Sequence, residues 1–529
     1  MRDDSESGDG VSFPIVLLFV ALAAVVLAMP APAGMEPAAQ RLLAVAVLMA
    51  GLWMTQAISL AATSLIPLAL FPLLGIMDAK TTAKSFVADA LFLYLGGMVI
   101  ALGVERWNLH RRIALHVLRI VGVSPRRMVA GFALASFGLS MWISNTATTM
   151  LMLPIALALL QVMSDTESGT AADSSQSGLS DRLAIPLLLV LAYGASLVGM
   201  ATLVGSPTNA VAVGIYREQV PHGADLVFSR WLMACGPVAL VYLGLMLLVM
   251  TWRLPGASAS DQTIRSELVA RLRELGRMSI AEKRMLLIFA VTALLWVFRE
   301  PLEIGSQQLL PGWQRLYASG ISWVFADREL QAALAAKQAV SDSTVAVLMA
   351  ILMFAIPSGT RTAAGRIIPL MDWRTANRLP WDMILLFGGG FALAAGFETT
   401  GLSVWLAGRL QECLADQPAP LVVAAVCAFL VTLTELTSNV ATVSAILPAL
   451  LALSQPLGMD PRMLLIPATL ATSASFMLPV GTPPNAIVFG SGRIPAAQMA
   501  RYGFLLNLIG VPLLTAATWL IIRPVLGIP

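Results

Sequence analysis

The stretch SNTATTMLMLP, at residues 144–154, has a counterpart in SNVATVSAILP, at residues 438–448. In both, a Ser-Asn pair opens an apolar run, and a proline follows ten positions after the serine. Each pair lies near the middle of a long apolar segment, 128–161 or 420–454. The arms on either side are about 15 residues long, which is short for a helix that crosses a bilayer. The two segments are therefore predicted to be re-entrant hairpins, which enter and leave a membrane on the same side.

The composition indicates a membrane protein. Of the 529 residues, 58% are hydrophobic and 12% are charged, whereas a soluble protein carries about twice that charge. A soluble enzyme is excluded because no polar half-chain exists to form its surface. We predict an all-α polytopic membrane protein with about 11 transmembrane helices. The predicted spans are 13–29, 40–56, 60–76, 90–106, 183–216, 230–251, 284–298, 344–357, 382–400, 462–492 and 504–523.

Charge and metal-ligand residues exclude other classes and predict an orientation. The net charge of +3 gives no support for nucleic-acid binding. The three cysteines and three histidines form no ligand cluster, so a zinc or iron centre is not expected. Lys and Arg are enriched in the segments that the predicted topology puts in the cytoplasm, which predicts a cytoplasmic N-terminus and an outside C-terminus. The run at 13–29 is interpreted as a retained first span, because the leader before it is acidic.

Two further pairs of motifs repeat in the same order along the chain. Glycine-rich spans at 91–109 and 383–402 resemble each other, as do LVGSPTNAVAVG at 203–214 and PVGTPPNAIVFG at 479–490. The glycines of the first pair are expected to allow close helix packing. The second pair is expected to break the helices at 183–216 and 462–492. Because the predicted topology gives the two copies opposite orientations, the chain is predicted to contain an inverted repeat, which is typical of secondary transporters.

Helix breaks at membrane depth indicate a binding site. Backbone groups exposed by a break are tolerated only where they line a cavity or bind a ligand. The helix that ends presents carbonyls, which suit Na⁺, and the helix that begins presents N–H groups, which suit an anion. Ser206-Pro207 and Thr482-Pro483 are typical of an N-cap followed by proline at the first helical position. Four asparagines supply both an acceptor and a donor and could face a cation and an anion at once: Asn145, Asn209, Asn439 and Asn485.

Glu435 is an acid at predicted membrane depth, three residues before Ser438. Such residues are costly there and are usually functional. Glu435 could be a proton site, an organiser of the cation site, or hydrogen-bonded without a further role. We favour the organiser. Met141 holds the equivalent position in the first hairpin, so this acid is not part of the repeat.

The motifs WISNTATTMLMLP, VGSPTN, TELTSNVAT and LPVGTPPNA, with the early GLWMTQAISLAATSLIPLALFPLLGI, resemble the divalent anion/sodium symporter family. The resemblance covers residues 40–523 and implies a homodimeric elevator-type transporter, here in a bacterial inner membrane. It further implies that a scaffold domain comprises residues 1–120 and 258–415, the latter beginning with a cytoplasmic linker helix. The transport domain would then comprise residues 121–257 and 416–529.

The family motifs also imply ligand positions, with Na⁺ as the co-transported ion and no organic cofactor. The first sodium site would use Ser140, Ser144, Asn145 and Gly205. The second would use Thr434, Thr437, Asn439 and Gly481. The substrate would meet Ser144, Asn145, Thr146, Ser206, Pro207, Ser438, Asn439, Val440, Thr482 and Pro483. Val440 stands where a full second SNT motif has threonine, and Thr208 stands where the second copy has Pro484, which leaves the exact anion open.

The expected function is Na⁺-coupled uptake of a C4-dicarboxylate of the succinate, malate or fumarate class. Sodium-independent carboxylate exchange and sulfate transport stay open within the family. An intramembrane enzyme is a remote alternative, because the predicted cavity contains no acid, base or metal cluster apart from Glu435. Moving one charge through 100 mV involves about 2.3 kcal/mol, so concentrating a dianion in a cell predicts roughly three or more Na⁺ per substrate.

Overall fold

A computed structural model gives the fold of the chain. It describes residues 12–168, 179–221, 223–256, 261–304, 307–314, 316–317, 340–414 and 417–528. The acidic leader, from which residues 13–29 are interpreted as a retained first span, lies outside the described residues. Most of the insert between residues 299 and 343 also lies outside them.

The first half of the chain is built from fourteen described helices. Proline or a capping side chain begins many of them; for example, Ser279 and Glu282 form a capping box at the start of α14. The helices are α1 Phe13–Ala28, α2 Pro37–Thr55, α3 Leu60–Ser64, α4 Ile66–Leu73, α5 Ala79–Ser85, α6 Asp89–Arg106, α7 Leu109–Val121, α8 Pro125–Ser140, α9 Asn145–Ser168, α10 Leu179–Gly199, α11 Pro207–Gln219, α12 Phe228–Thr251, α13 Asp261–Glu274 and α14 Ile280–Val297.

The second half adds ten described helices and two small antiparallel sheets. The helices are α15 Asp342–Ala355, α16 Trp373–Ala376, α17 Trp381–Thr399, α18 Leu402–Leu414, α19 Ala419–Thr434, α20 Asn439–Ser454, α21 Arg462–Thr472, α22 Pro483–Phe489, α23 Ala496–Ala517 and α24 Arg523–Val525, with a π-helical turn Thr518–Ile522 before the last. The strands are β1 Leu302–Ile304, β2 Gln307–Leu310, β3 Pro357–Arg361 and β4 Ile367–Pro369.

The all-α prediction is confirmed apart from these short strands. Among the described residues, six helices are long and apolar enough to cross a membrane, or seven if the bent pair α5 and α6 counts as one span. The span predicted at 60–76 corresponds to a shorter apolar segment, Leu60–Leu73, in which Leu65 separates α3 from α4. Pro67 lies in the first turn of α4, where its missing N–H costs no helical hydrogen bond.

The predicted hairpins differ in the lengths of their arms. Three arms have 16 residues, close to the expected length. The second arm of the first hairpin, α9, has 24 residues, so the short arm predicted there is wrong. Residues Asn145–Asp165 of that arm are apolar enough to cross a membrane. The re-entrant course of both hairpins stays a prediction.

The repeated glycines allow helices to approach closely, as predicted. A Cβ built on Gly96 of α6 would lie 2.7 Å from the backbone carbon of Ala346 in α15. A Cβ built on Gly389 of α17 would lie 2.7 Å from the backbone oxygen of Ser64 in α3. Both distances are shorter than carbon contacts allow, so each position requires glycine for its packing.

Candidate functional site

Both predicted hairpins are interrupted at the Ser-Asn pair. The helix α8 ends at Ser140 and α9 begins at Asn145, while α19 ends at Thr434 and α20 begins at Asn439. Each break therefore leaves four residues between two helices. The carbonyls of the ending helix and the N–H groups of the beginning helix are available at the break, as predicted.

In the first break, two side-chain oxygens lie side by side. The oxygen Ser140 Oγ is 2.5 Å from Asn145 Oδ1 and 3.0 Å from the carbonyl oxygen of Ala195 in α10. A hydroxyl has one hydrogen, so Ser140 can donate to only one of these two acceptors at a time. When it donates to Ala195, lone pairs on Ser140 Oγ and Asn145 Oδ1 both become available to a cation.

The second break repeats this arrangement. The Thr434 hydroxyl makes a short contact with Asn439 Oδ1 and lies 3.0 Å from the carbonyl oxygen of Thr472 in α21. The two predicted sodium sites thus share a hydroxyl, an amide oxygen and a nearby backbone carbonyl. Neutral oxygen donors of this kind suit a hard monovalent cation.

Residues predicted for the first site converge around Gly199, where α10 ends. A Cβ built on Gly199 would lie 3.0 Å from Ser206 Cβ, 3.3 Å from the Gly205 carbonyl oxygen and 3.5 Å from Asn145 Nδ2. Glycine at this position allows the broken helix to approach the hairpin. The structure therefore brings together Ser140, Asn145, Gly205 and Ser206.

Residues predicted for the second site meet through Ser475, which sequence reasoning missed. The Ser475 hydroxyl lies 3.2 Å from the Thr434 carbonyl oxygen, and a Cβ on Gly481 would overlap the same hydroxyl. Thr434, Asn439 and Gly481 thus lie in one neighbourhood. The Thr437 hydroxyl instead donates to the carbonyl oxygen of Leu433, one helical turn earlier, or pairs with Thr442 Oγ1 at 2.7 Å. None of its described hydrogen bonds reaches the other three predicted residues.

Two of the four asparagines serve the backbone. Asn209 Nδ2 donates to the carbonyls of Gly199 and Thr202, and Asn485 Nδ2 donates to those of Ser475 and Leu478. The expectation that these two amides could face an anion is therefore wrong, because their donors are used inside the breaks. The Asn485 oxygen is buried and has no hydrogen-bond partner in the described structure.

The predicted helix starts after both breaks are confirmed. Ser206 and Thr482 have extended backbones, and Pro207 and Pro483 are the first residues of α11 and α22. The Thr482 hydroxyl accepts from the backbone N–H of Asn485 at 3.3 Å. The Ser206 hydroxyl pairs instead with Thr208 Oγ1 at 2.7 Å, a contact that proline at this position in the second copy cannot make.

The remaining predicted substrate contacts lie in the first turns of α9 and α20. Ser144 Oγ accepts from the backbone N–H of Ala147 at 3.2 Å, whereas the Ser438 side chain makes no capping bond. Ser144 and Thr146 are half-buried, and Val440 is buried. The second break therefore presents a methyl group where the first presents a hydroxyl.

The two copies interlock at the breaks. Helix α11, which follows the first broken-helix loop, packs against α20 of the second hairpin. Helix α22, which follows the second loop, packs against α9 of the first hairpin and against α10. Each half-helix therefore contacts the hairpin arm of the other copy, as expected for two repeats that pack against each other.

Glu435 is buried beside the second break and binds its loop. Its carboxylate accepts hydrogen bonds from the backbone N–H groups of Phe476, Met477 and Leu478, from the Ser475 hydroxyl and from Asn507 Nδ2. The sequence did not indicate these partners. An asparagine inside the apolar run at 504–523 was the one available signal.

The tips of the two hairpins have different surroundings. Trp142 packs among aromatic rings, with its ring 6.2 Å from and parallel to that of Trp296 and edge-on to Phe289 at 5.0 Å. Its counterpart two residues before the second Ser-Asn pair, Leu436, is 71% exposed. The valines directly before Gly205 and Gly481 differ in the same way: Val204 is 9% exposed and Val480 is 80% exposed.

Comparisons with known proteins agree with this architecture. The fold resembles the crystal structure of the YdaH transporter from Alcanivorax borkumensis, with a TM-score of 0.52, 14% identity, and coverage of 95% of this chain and 96% of that one. It also resembles MtrF of Neisseria gonorrhoeae, described as one of a class of antimetabolite efflux pumps, with a TM-score of 0.54, 13% identity, and coverage of 96% and 93%. These similarities concern the fold alone. The fold and the mirrored breaks define a polytopic, all-helical membrane protein.

Sequence similarity gives the family. The model of the sodium:sulfate symporter transmembrane region matches residues 12–526. The sodium-dependent dicarboxylate transporter SdcS of Staphylococcus saprophyticus is 35% identical over 495 residues, covering 92% of this chain and 86% of that protein. SdcS of Staphylococcus aureus is 36% identical over 494 residues with the same coverage. The chain belongs to the sodium:sulfate symporter family, that is, the divalent anion/sodium symporters, and is an integral membrane transporter rather than an enzyme.

Proposed function

We propose that this transporter couples Na⁺ entry to the uptake of a dianionic C4-dicarboxylate of the succinate, malate or fumarate class. The observation that carries the proposal is the mirrored pair of oxygen clusters, Ser140 with Asn145 and Thr434 with Asn439. Each cluster lies where one helix ends and another begins. Each would hold one Na⁺ between side-chain oxygens and backbone carbonyls.

The anion would bind beside these cations. Four helices begin at the breaks, with first residues Asn145, Pro207, Asn439 and Pro483. Helix N-termini attract anions through their free N–H groups and the helix dipole. Because the break segments contain no Lys or Arg, bound Na⁺ would supply the remaining positive charge. Substrate binding would therefore depend on Na⁺.

A dicarboxylate is the favoured substrate because the relatives named above carry that description. Sulfate, which the family description names, is the second candidate, and sodium-independent exchange is the third. A tetrahedral sulfate is compact, whereas a C4-dicarboxylate has two carboxylates that could engage the two breaks separately. The mirrored geometry supports the latter.

The two segments proposed for the transport domain, 121–257 and 416–529, contact each other through α11 on α20 and α22 on α9. This packing supports one moving body. The proposed scaffold comprises residues 1–120 and 258–415. We further propose a homodimer in a bacterial inner membrane, with the N-terminus in the cytoplasm, the C-terminus outside, and an elevator motion of the transport domain.

Uptake by purified protein in proteoliposomes tests the proposal. Labelled succinate should accumulate under an inward Na⁺ gradient and not when K⁺ replaces Na⁺. Asn145→Ala and Asn439→Ala should abolish accumulation, whereas Asn377→Ala, a change at an exposed asparagine far from the breaks in sequence, should not. Equal succinate flux without Na⁺ would instead indicate exchange, and competition by sulfate but not succinate would indicate a sulfate carrier.

The charge stoichiometry is tested separately. If roughly three or more Na⁺ enter with each dianion, an inside-negative potential should stimulate uptake, since each net charge gains about 2.3 kcal/mol per 100 mV. A potassium gradient with valinomycin sets the potential. Uptake that does not respond to the potential would indicate two Na⁺ per dianion.

A further inference from the structure

The Glu435 carboxylate accepts hydrogen bonds from five donors in the described structure. One carboxylate oxygen accepts from Phe476 N at 2.8 Å, Met477 N at 2.9 Å and Asn507 Nδ2 at 2.8 Å. The other accepts from Met477 N at 3.0 Å, Leu478 N at 3.1 Å and the Ser475 hydroxyl at 3.3 Å. The Met477 N–H is shared between the two oxygens, and the Ser475 hydroxyl can donate either to Glu435 or to the Thr434 carbonyl. Phe476 N, Leu478 N and Asn507 Nδ2 complete a set of hydrogen-bond donors that occupies both oxygens of the carboxylate. Glu435 is therefore not placed to ligate Na⁺ itself, and it acts as a built-in anion that fixes the loop 475–478.

This loop lies between two of the predicted sodium ligands. Thr434 directly precedes Glu435, and its carbonyl oxygen lies 3.2 Å from the Ser475 hydroxyl. Gly481 N donates to Leu478 O at 3.1 Å, and a Cβ on Gly481 would lie 3.2 Å from Glu435 Oε2. A displaced Glu435 would therefore move both the hydroxyl on the hairpin and the carbonyl on the broken helix.

The first copy joins the same two segments by a different contact. The Thr202 hydroxyl donates to the Met141 carbonyl at 2.7 Å and accepts from Gly205 N at 3.0 Å. Met141 corresponds to Glu435, since each is three residues before its Ser-Asn pair. Thr202 corresponds to Leu478, since each lies seven residues before the asparagine that holds its carbonyl.

We propose that Glu435 is a positioning residue for the second sodium site, and that the Thr202 hydroxyl positions the ligands of the first. The proposal rests on the proposed Na⁺-coupled transport. The two halves join the same two segments with different residue pairs, and the pairs are interchangeable. The first half uses Thr202 with Met141, and the second uses Leu478 with Glu435. Either pairing holds the hairpin break against the loop of the broken helix.

The exchange of these pairings is the test. In Glu435→Met, the Na⁺ concentration for half-maximal uptake should rise by about tenfold or more, as for loss of residues that orient metal ligands. The maximal rate at saturating Na⁺ should stay within about threefold. The double variant Glu435→Met with Leu478→Thr recreates the first copy and should recover most of the Na⁺ affinity. Na⁺ should also raise the thermal midpoint of the purified protein. The Na⁺ concentration needed for this should be lowest for the wild type, higher for the double variant and highest for Glu435→Met.

Two results would overturn the proposal: an Na⁺ half-saturation in Glu435→Met within twofold of the wild type, or a double variant no better than the single one. Should Glu435→Met fail to fold, Thr202→Val and Thr202→Ser give the answer in the first copy. The valine variant should lose Na⁺ affinity, and the serine variant should keep it. Equal Na⁺ affinity in the two variants would contradict the proposal. A wild-type protein that ignores Na⁺ in both assays refutes the proposed function instead.

Discussion

Asn209 and Asn485 make the same pair of hydrogen bonds in the two halves of the chain. Each amide nitrogen donates to the carbonyls ten and seven residues before it, closing the loop between two half-helices. Both side chains are fully buried. A backbone carbonyl inside a membrane protein cannot turn to water, so these bonds determine whether each break keeps its shape.

Replacement of either asparagine should therefore destabilise the protein. Asn485→Ala removes the described partner of the Ser475 carbonyl and one of the two donors to the Leu478 carbonyl, and an unpaired buried carbonyl costs about 1–3 kcal/mol. We expect a lower thermal midpoint and loss of uptake that excess Na⁺ does not restore. Asn209→Ala should behave in the same way. An Asn485→Ala protein with wild-type melting would show that water or a rearranged loop satisfies these carbonyls.

The hydroxyls of the two oxygen pairs should affect Na⁺ rather than stability. Ser140→Ala and Thr434→Val each remove one proposed ligand and should raise the Na⁺ half-saturation of uptake by about tenfold, whereas Thr434→Ser should keep it near the wild-type value. The matched control is Ser136→Ala, one helical turn before Ser140, because the buried Ser136 hydroxyl has no partner in the described structure. An equal effect at Ser136 would point to general packing of α8.

The third position of the first Ser-Asn-Thr motif should contact substrate alone. Thr146→Val copies the second motif, which has Val440, and removes one hydroxyl. The KM for succinate should rise about 3–10-fold, the usual worth of one hydrogen bond. Na⁺ half-saturation at saturating succinate should not change. A change in the Na⁺ half-saturation without a change in the KM for succinate would indicate that Thr146 contacts Na⁺. It would contradict the assignment of Thr146 to the substrate site.

The different exposure of the two broken-helix loops predicts different chemical reactivity. A cysteine at Val480 should react with a small polar maleimide in detergent at least about tenfold faster than one at Val204, because the second loop is exposed and the first is packed against Gly97. Mass spectrometry of the labelled peptides measures both rates. Similar rates at both positions would show that the asymmetry does not persist in solution.

The helix breaks were predictable because their causes are local. A Ser-Asn pair, or a proline after a capping residue, favours a helix start through local hydrogen bonds and dihedral angles, so the sequence indicated the breaks at both hairpins and both broken helices. The close approach at Gly96 and Gly389 was predictable for the same reason. The division of 60–76 into two helices was missed, because proline in a first turn is also compatible with a continuous span.

The partners of the polar side chains were not predictable. Glu435 binds a loop about 40 residues later, and Asn507 approaches from a third helix, so no spacing in the sequence records their contact. The amides of Asn209 and Asn485 could as well have faced a ligand. Their actual role depends on how each loop folds back onto the helix that ends before it, and a spacing of seven and ten residues does not by itself reveal this.

The parallel indole rings of Trp142 and Trp296 belong to the segments proposed for the transport domain and for the scaffold. Two indoles at this separation share their ultraviolet excitation, and that coupling weakens steeply as the rings part. If substrate drives the proposed elevator motion, the near-ultraviolet circular dichroism of the unmodified protein should therefore change in amplitude.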